Sequence, residues 1–224
     1  MSGPGRVVLV TGASRGLGYA VAAELGARGA QVIALARTVG GLEELAEAIT
    51  AAGGPEPTLV PLSLTDDAGL QRLCLAIHGR WGRLDLAIHC AAHAAPLAPA
   101  PHIADKDFRA SLDVNLRATQ RLIVMLAPLL PRETGQFVHV TDARAGDAYW
   151  GSYGATKAAA EALVRSWAAE TARIGPKVSL FAPAPMPTAL RARFYPVEER
   201  AQLVPCADEA RRLLDTLTLA PAAA

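Results

Sequence analysis

The sequence predicts a doubly wound α/β fold, a mostly parallel sheet with helices on both faces. Three observations carry that expectation. Short β-branched runs alternate from end to end with longer alanine- and leucine-rich runs, as a parallel sheet with helical crossovers requires. The strand-like runs are apolar throughout, as in Val7–Val10 (VVLV), which is the pattern of strands covered on both faces. The 224 residues are 51% hydrophobic, enough for a substantial core. No repeat or compositional break divides them, so one domain over residues 1–224 is expected.

Charge and composition exclude several classes of function. The formal charge is +1, from 22 basic and 21 acidic residues, which gives no support for a nucleic-acid or acidic-membrane partner. No apolar run reaches the roughly 18 residues of a membrane span, and the N-terminus lacks a secretory pattern. Cys74, Cys90 and Cys206 are odd in number and widely spaced, so neither a disulfide framework nor a metal site is expected. The expected setting is the cytoplasm.

Val7–Val10 reads as the first strand, Thr11–Gly18 (TGASRGLG) as a glycine-rich turn and Tyr19–Ala27 as a helix ending near Gly26 and Gly29. In that context Gly12 permits a sharp turn, Gly16 lets backbone approach a pyrophosphate, and Gly18 lets the helix pack against the strand. The phosphates would sit on the helix N-terminus. Gln31–Leu35 is the second strand and Leu42–Ala51 the second helix, broken by Gly53–Pro57. Thr58–Leu62 is the third strand, and Thr65 or Asp66 caps a helix over Ala68–Arg80. Gly82 precedes a fourth strand, Leu84–Cys90, which runs into a proline- and alanine-rich loop, Ala91–Ile103.

Lys106–Leu130 is helical, as two helices or one bent one, and Pro128 and Pro131 help end it. Gln136–Thr141 is the fifth strand, Asp142–Gly151 a polar loop, Ser152–Ala172 a long helix and Lys177–Phe181 the sixth strand. Ala182–Pro187 is irregular, and Thr188–Phe194 and Asp208–Leu217 are short helices. The final TLAPAAA leaves little room for a seventh strand. Ligands of such sheets bind outside the carboxyl ends of the strands.

Tyr153 and Lys157 are four apart and share a helix face. An ammonium near a phenol lowers the phenol pKa and fits it for proton transfer near neutrality. The second strand ends at Ala36 and Arg37 without the acid that grips the ribose 2′-hydroxyl of NAD. With Arg15 in the turn, Arg37 suits a 2′-phosphate instead. NADP(H) is therefore the expected cofactor, with NAD(H) the alternative.

From Arg6 to about Leu190 the chain resembles the short-chain dehydrogenase/reductase family. The resemblance rests on TGASRGLG at 11–18, YGATK at 153–157, Asn115 in DVNLRAT, and the late stretch APAPMPTALRARFYP. It implies a Rossmann-like sheet of six or seven strands and hydride transfer between nicotinamide and a carbonyl or alcohol. It also implies that Tyr153 moves the substrate proton, that Lys157 holds the nicotinamide ribose, and that Asn115 anchors a water. A homodimer through the helices carrying Asn115 and Tyr153 follows from it, with Leu116, Leu122, Val124, Leu163 and Trp167 as apolar material to cover.

Four places depart from the family pattern. The usual NNAG is His89, Cys90, Ala91, Ala92. The usual serine falls on Thr141 or Asp142, and Asp142 can donate a hydrogen bond only when protonated. The acid that contacts adenine in relatives is Ser63, and the glycine of the late PG motif is Ala184. His89 and His93 lie near strand-end loops, and His139 is expected to be packed within its strand.

The expected catalytic set is Tyr153, Lys157, Asn115, Thr141 and Asp142. The expected cofactor set is Gly12, Ser14, Arg15, Gly16, Leu17, Gly18, Arg37, Ser63, Leu64, Cys90, Ala91, Ala92, Lys157, Pro183 and Thr188. His93, Tyr149 and Met186 are expected at the substrate, in a pocket built from Pro96–Pro99, Trp150 and the 185–196 segment. Two functions stay open: an NADP(H)-dependent oxidoreductase for a small, largely apolar substrate, or a dinucleotide-binding protein with little turnover that acts as a sensor.

Overall fold

The computed structural model describes residues 5–217; the expectation about the tail, 218–224, lies outside them. Among the described residues six strands form one sheet in the order β3-β2-β1-β4-β5-β6. They are β1 (Val7–Thr11), β2 (Gln31–Ala36), β3 (Thr58–Pro61), β4 (Leu86–His89), β5 (Gln136–Val140) and β6 (Lys177–Phe181). Every pairing is parallel. The strand order reverses between β1 and β4, which opens a crevice at their carboxyl ends.

Each strand sends alternate side chains to opposite faces. Val8 and Val10 pack with α1 (Gly16–Ala27), α2 (Val39–Ala51) and α8 (Cys206–Asp215). Val7 and Leu9 pack on the other face with α3 (Asp67–Trp81), α5 (Ala118–Leu126) and α6 (Gly151–Thr171). All five residues of β1 are buried, because both of its faces carry helices. α4 (Asp105–Ser111) packs against α6, and α7 (Ala189–Phe194) lies at the rim.

The sequence reading needs several boundary corrections. α1 starts at Gly16 rather than Tyr19, so Gly16 and Gly18 belong to its first turn. β4 spans only Leu86–His89. Leu84 N–H instead bonds the Leu129 carbonyl at 2.8 Å, and the Asp85 carboxylate accepts from Val7 N–H at 2.8 Å. Of the two capping candidates for α3, Asp66 caps it, accepting from Gly69 N–H at 2.9 Å.

The region read as two helices or one bent helix is a single continuous helical run. α4 passes into a π-helical turn, Leu112–Arg117, then α5, then a 3-10 turn over Ala127–Leu129. Leu122 and Trp167, expected as spare apolar surface, are core residues, and Trp167 stands edge-on to Phe137 with centroids 5.1 Å apart. Of the five apolar residues named for a partner, Val124 alone is exposed, at 55%.

Candidate active site

A cavity of about 520 Å³ opens at the carboxyl ends of the strands. Its floor is the turn between β1 and α1. Gly12 and Ala13 both donate backbone N–H bonds to the Leu35 carbonyl, at 2.8 and 3.2 Å. Gly12 holds φ at +72°, and a Cβ there would lie 2.9 Å from the Ala91 backbone. A Cβ at Gly18 would run into the Gly12 carbonyl oxygen. Only glycine fits either place. Arg15, at the N-cap of α1, makes no side-chain capping bond, which leaves the amides of the helix's first turn available to an anion. Arg37, Ser63, Leu64, Cys90, Ala91 and Ala92 continue the rim.

Tyr153, Lys157, Thr141 and Asp142 meet at the other end of the same cavity. Tyr153 donates its hydroxyl to Asp142 Oδ2 at 3.2 Å. Burial, then the Asp142 charge and this hydrogen bond, push its pKa upward, against a smaller opposing pull from Arg144. That corrects the expectation that Lys157 lowers it. Lys157 is buried and spends its ammonium elsewhere, on the Val140 carbonyl at 2.5 Å and beside His139 Nε2 at 3.4 Å. Burial lowers the Lys157 pKa to about 8, against the pull of Asp142, Cys90 and Glu161. The Thr141 hydroxyl donates to the Glu161 carboxylate and so is turned away from the tyrosine.

Behind Lys157 lies a buried imidazole pair. His89 and His139 are register partners on β4 and β5, with ring centroids 5.2 Å apart. Thr119 donates its hydroxyl to the Asn115 carbonyl, so His89 Nε2, 3.1 Å away, must donate to Thr119. His89 Nδ1 then accepts from Thr11 Oγ1 at 2.7 Å. Burial lowers the His89 pKa to about 3 and holds His139 far below the histidine range, with Lys157 adding to both. Both rings are neutral.

A model of the short chain dehydrogenase family matches residues 6–199. The chain belongs to the short chain dehydrogenase family. Among curated relatives, the uncharacterized oxidoreductase YciK of Escherichia coli K12 is 32% identical over 209 residues, 91% of this chain and 82% of that protein. An L-fucose dehydrogenase of Mus musculus is 29% identical over 181 residues, 80% of this chain, and the chain spans only 64% of its length. Among solved structures, one from Shigella flexneri 2a complexed with NADP superposes with a TM-score of 0.85 at 31% identity, covering 91% of this chain and 87% of that one. An E. coli CFT073 structure complexed with NADPH gives 0.87 at 31% identity, covering 93% and 89%.

Set against this short chain dehydrogenase fold, the residues named from sequence divide into two groups. The whole expected cofactor set lines the cavity, as do Tyr153, Lys157, Thr141, Asp142, Trp150 and Met186. Asn115, His93, Tyr149 and the expected stretch Pro96–Pro99 do not line it. The Asn115 side chain accepts from His93 N–H at 2.7 Å and donates to the His93 carbonyl and Thr156 Oγ1 at 3.1 and 3.0 Å. It ties the loop after β4 to α6. His93 is held there by its backbone. Tyr149 is 61% exposed with φ at +72°, pointing attention to its neighbour Trp150 as the aromatic that packs on Tyr153 and Phe194.

Sequence reasoning missed Arg144 and Glu161. Glu161 was findable: it stands four residues after Lys157 on α6, as Lys157 stands four after Tyr153, so all three share a face. Arg144 carried no periodic signal, being placed by loop geometry over the Trp150 ring at 5.0 Å.

Proposed function

We propose that the chain is an NADP(H)-dependent oxidoreductase acting between a carbonyl and an alcohol of a small, largely apolar substrate. One observation carries this reading: a glycine-only phosphate cradle and the Tyr153–Lys157 pair open into the same cavity. The residues present fit a dinucleotide. Backbone of Gly12, Ser14, Gly16, Leu17 and Gly18, with the α1 N-terminus, would hold the pyrophosphate. Arg15 and Arg37 would hold a 2′-phosphate, in keeping with relatives solved with NADP and NADPH. Ser63 and Leu64 would flank the adenine, with Cys90, Ala91, Ala92, Lys157, Pro183 and Thr188 along the nicotinamide half.

When bound, the reduced dinucleotide supplies a hydride. Tyr153 supplies the proton from Oη, and Asp142 orients that hydroxyl. A phenolate at Tyr153 would face the Asp142 carboxylate, so the protonated phenol, the form that can donate, is favoured at rest. Trp150, Tyr153 and Phe194 pack into an aromatic wall that excludes water from the reacting end. Exposed Val124 with half-buried Leu116 and Leu163 supports a homodimer through the helices carrying Asn115 and Tyr153, which light scattering tests. The free thiols of Cys74, Cys90 and Cys206 fit a reducing cytoplasm.

The second reading is a dinucleotide-binding sensor with little turnover. It is favoured by a carboxylate standing where a hydroxyl would polarise a carbonyl. Fluorescence titration with NADPH and NADH tests the shared part. NADPH oxidation with a carbonyl panel, wild type against Y153F, separates the two. Oxidation lost in Y153F supports the enzyme; tight binding without oxidation of any member supports the sensor.

A further inference from the structure

Asp142 places a carboxylate beside the Tyr153 phenol. Its Oδ2 lies 3.2 Å from Tyr153 Oη, and its side chain is 37% exposed, so a group bound at the phenol also meets the carboxylate. The hydroxyl of its chain neighbour Thr141 is spent on Glu161. Lys157, the cation that the Asp142 charge acts on most, is bonded to the Val140 carbonyl rather than to Asp142, and the two arginines nearby are hydrogen-bonded to other acids. Arg191 forks onto Glu198 at 2.5 and 2.6 Å, and Arg144 holds Asp147 at 3.2 Å. Arg144 Nε makes only a long ion pair with Asp142 Oδ1, at 3.7 Å and beyond a hydrogen bond, which leaves the carboxylate free to accept from a ligand.

A ketone reduced here would build negative charge on its oxygen beside a negative group, at a cost. A protonated C=N nitrogen brings the opposite charge and an N–H that a carboxylate accepts. The aromatic wall, with Trp150 and Phe194 centroids 4.4 Å apart and Tyr153 and Phe194 5.1 Å apart, offers the apolar surface on which such a ring would lie.

We infer that this cavity reduces protonated imines carried on small apolar rings, with Asp142 as the specificity-determining residue that pairs with the N–H. The inference rests on the oxidoreductase reading above and extends its substrate class from C=O to C=N. The reductant is a reduced nicotinamide dinucleotide. Its hydride forms the new C–H bond at the imine carbon, and the C=N π pair becomes the nitrogen lone pair. The N–H proton stays in place. The dinucleotide is oxidised as the iminium is reduced to an amine. Tyr153 need not release its proton, which suits a phenol with a raised pKa.

The test uses the full chain with NADPH and two substrates of one shape, 3,4-dihydroisoquinoline and 1-tetralone. Wild type is expected to favour the imine in kcat/KM by about tenfold or more, and D142S to lose that preference, as removal of one charge-assisted hydrogen bond implies. A second readout needs no turnover: calorimetric binding of tetrahydroisoquinoline, as its ammonium ion, and of its oxygen isostere isochroman to the NADP⁺ complex. The cation should bind wild type about tenfold more tightly than the ether, and the two should bind D142N alike, with circular dichroism confirming the fold. Wild type preferring the ketone, or a cation preference absent or unchanged in D142N, overturns the inference. NADPH titration comes first. Absent binding removes both readings, whereas normal binding without a cation preference removes only the role given to Asp142.

Discussion

The turn after β1 and the loop after β5 face one cavity, but different forces hold them. The first is fixed by close packing of backbone: a Cβ at Gly18 has no space, and Gly12 sits 2.9 Å (to its would-be Cβ) from Ala91. The second is fixed by charge and hydrogen bonds, through Asp142, Tyr153, Arg144 and Asp147. The packed turn tolerates one residue type at each place. The charged loop is held by side-chain partners, which substitution can change one at a time. Ligand capture is therefore built into the more constrained region, and choice of chemistry into the more permissive one.

That contrast can be broken or sharpened by four variants, taken from the largest effect down. G18A should cost about 3 kcal/mol of stability by forcing side chain into backbone and should abolish NADPH binding. Urea unfolding with and without NADPH measures both, and a variant that binds like wild type would falsify the packing argument. K157M should lower NADPH-dependent turnover by about a hundredfold, as loss of a charged hydrogen-bond donor implies.

The same variant carries a pH test. The Lys157 ammonium gives up its proton near pH 8, whereas an ordinary lysine does so near 10.5. Below about 8 both folded and unfolded chains hold the proton, and the full burial penalty applies. Between the two values the unfolded chain binds more protons, so stability rises with pH. Unfolding free energies of wild type minus K157M, followed across that window, should slope upward; a flat difference contradicts the burial of a charged amine. Turnover that needs the ammonium should fall as the pH passes about 8.

R37D should lower the ratio of NADPH to NADH affinity by about tenfold to a hundredfold, since a charge-assisted pair is replaced by repulsion; fluorescence titration reads it. T141A should be the mildest, changing turnover less than about threefold and stability by about 1 kcal/mol, the worth of one hydrogen bond. A T141A variant that loses about a hundredfold in turnover would move the missing hydroxyl's role back to Thr141.

Much of the packed region was legible because its determinants are local. Glycine spacing between an apolar strand and an alanine-rich helix specifies the cradle within eight residues, and Lys177–Phe181 emerges as β6 with its expected bounds. The charged region was less legible because its partners come from separate elements. Asn115 matched a motif, yet its amide is committed to His93 and Thr156, which depends on how the loop after β4 meets α6. Tyr149 and Trp150 are adjacent aromatics, and a positive φ at the first decides which one faces inward. The π-helical turn at Leu112–Arg117 leaves no periodic trace, since one wider turn inside a long apolar run shifts the pattern by a single residue.

The near-contact between Gly12 and the Ala91 backbone has an evolutionary consequence. Two loops that touch main chain to main chain cannot drift apart independently: a lengthening of either displaces the other, and with it whatever rests on both. Diversification of this scaffold toward new molecules is expected instead through the proline-punctuated stretch from Pro183 to Pro196, where libraries of insertions can be screened without disturbing the joint.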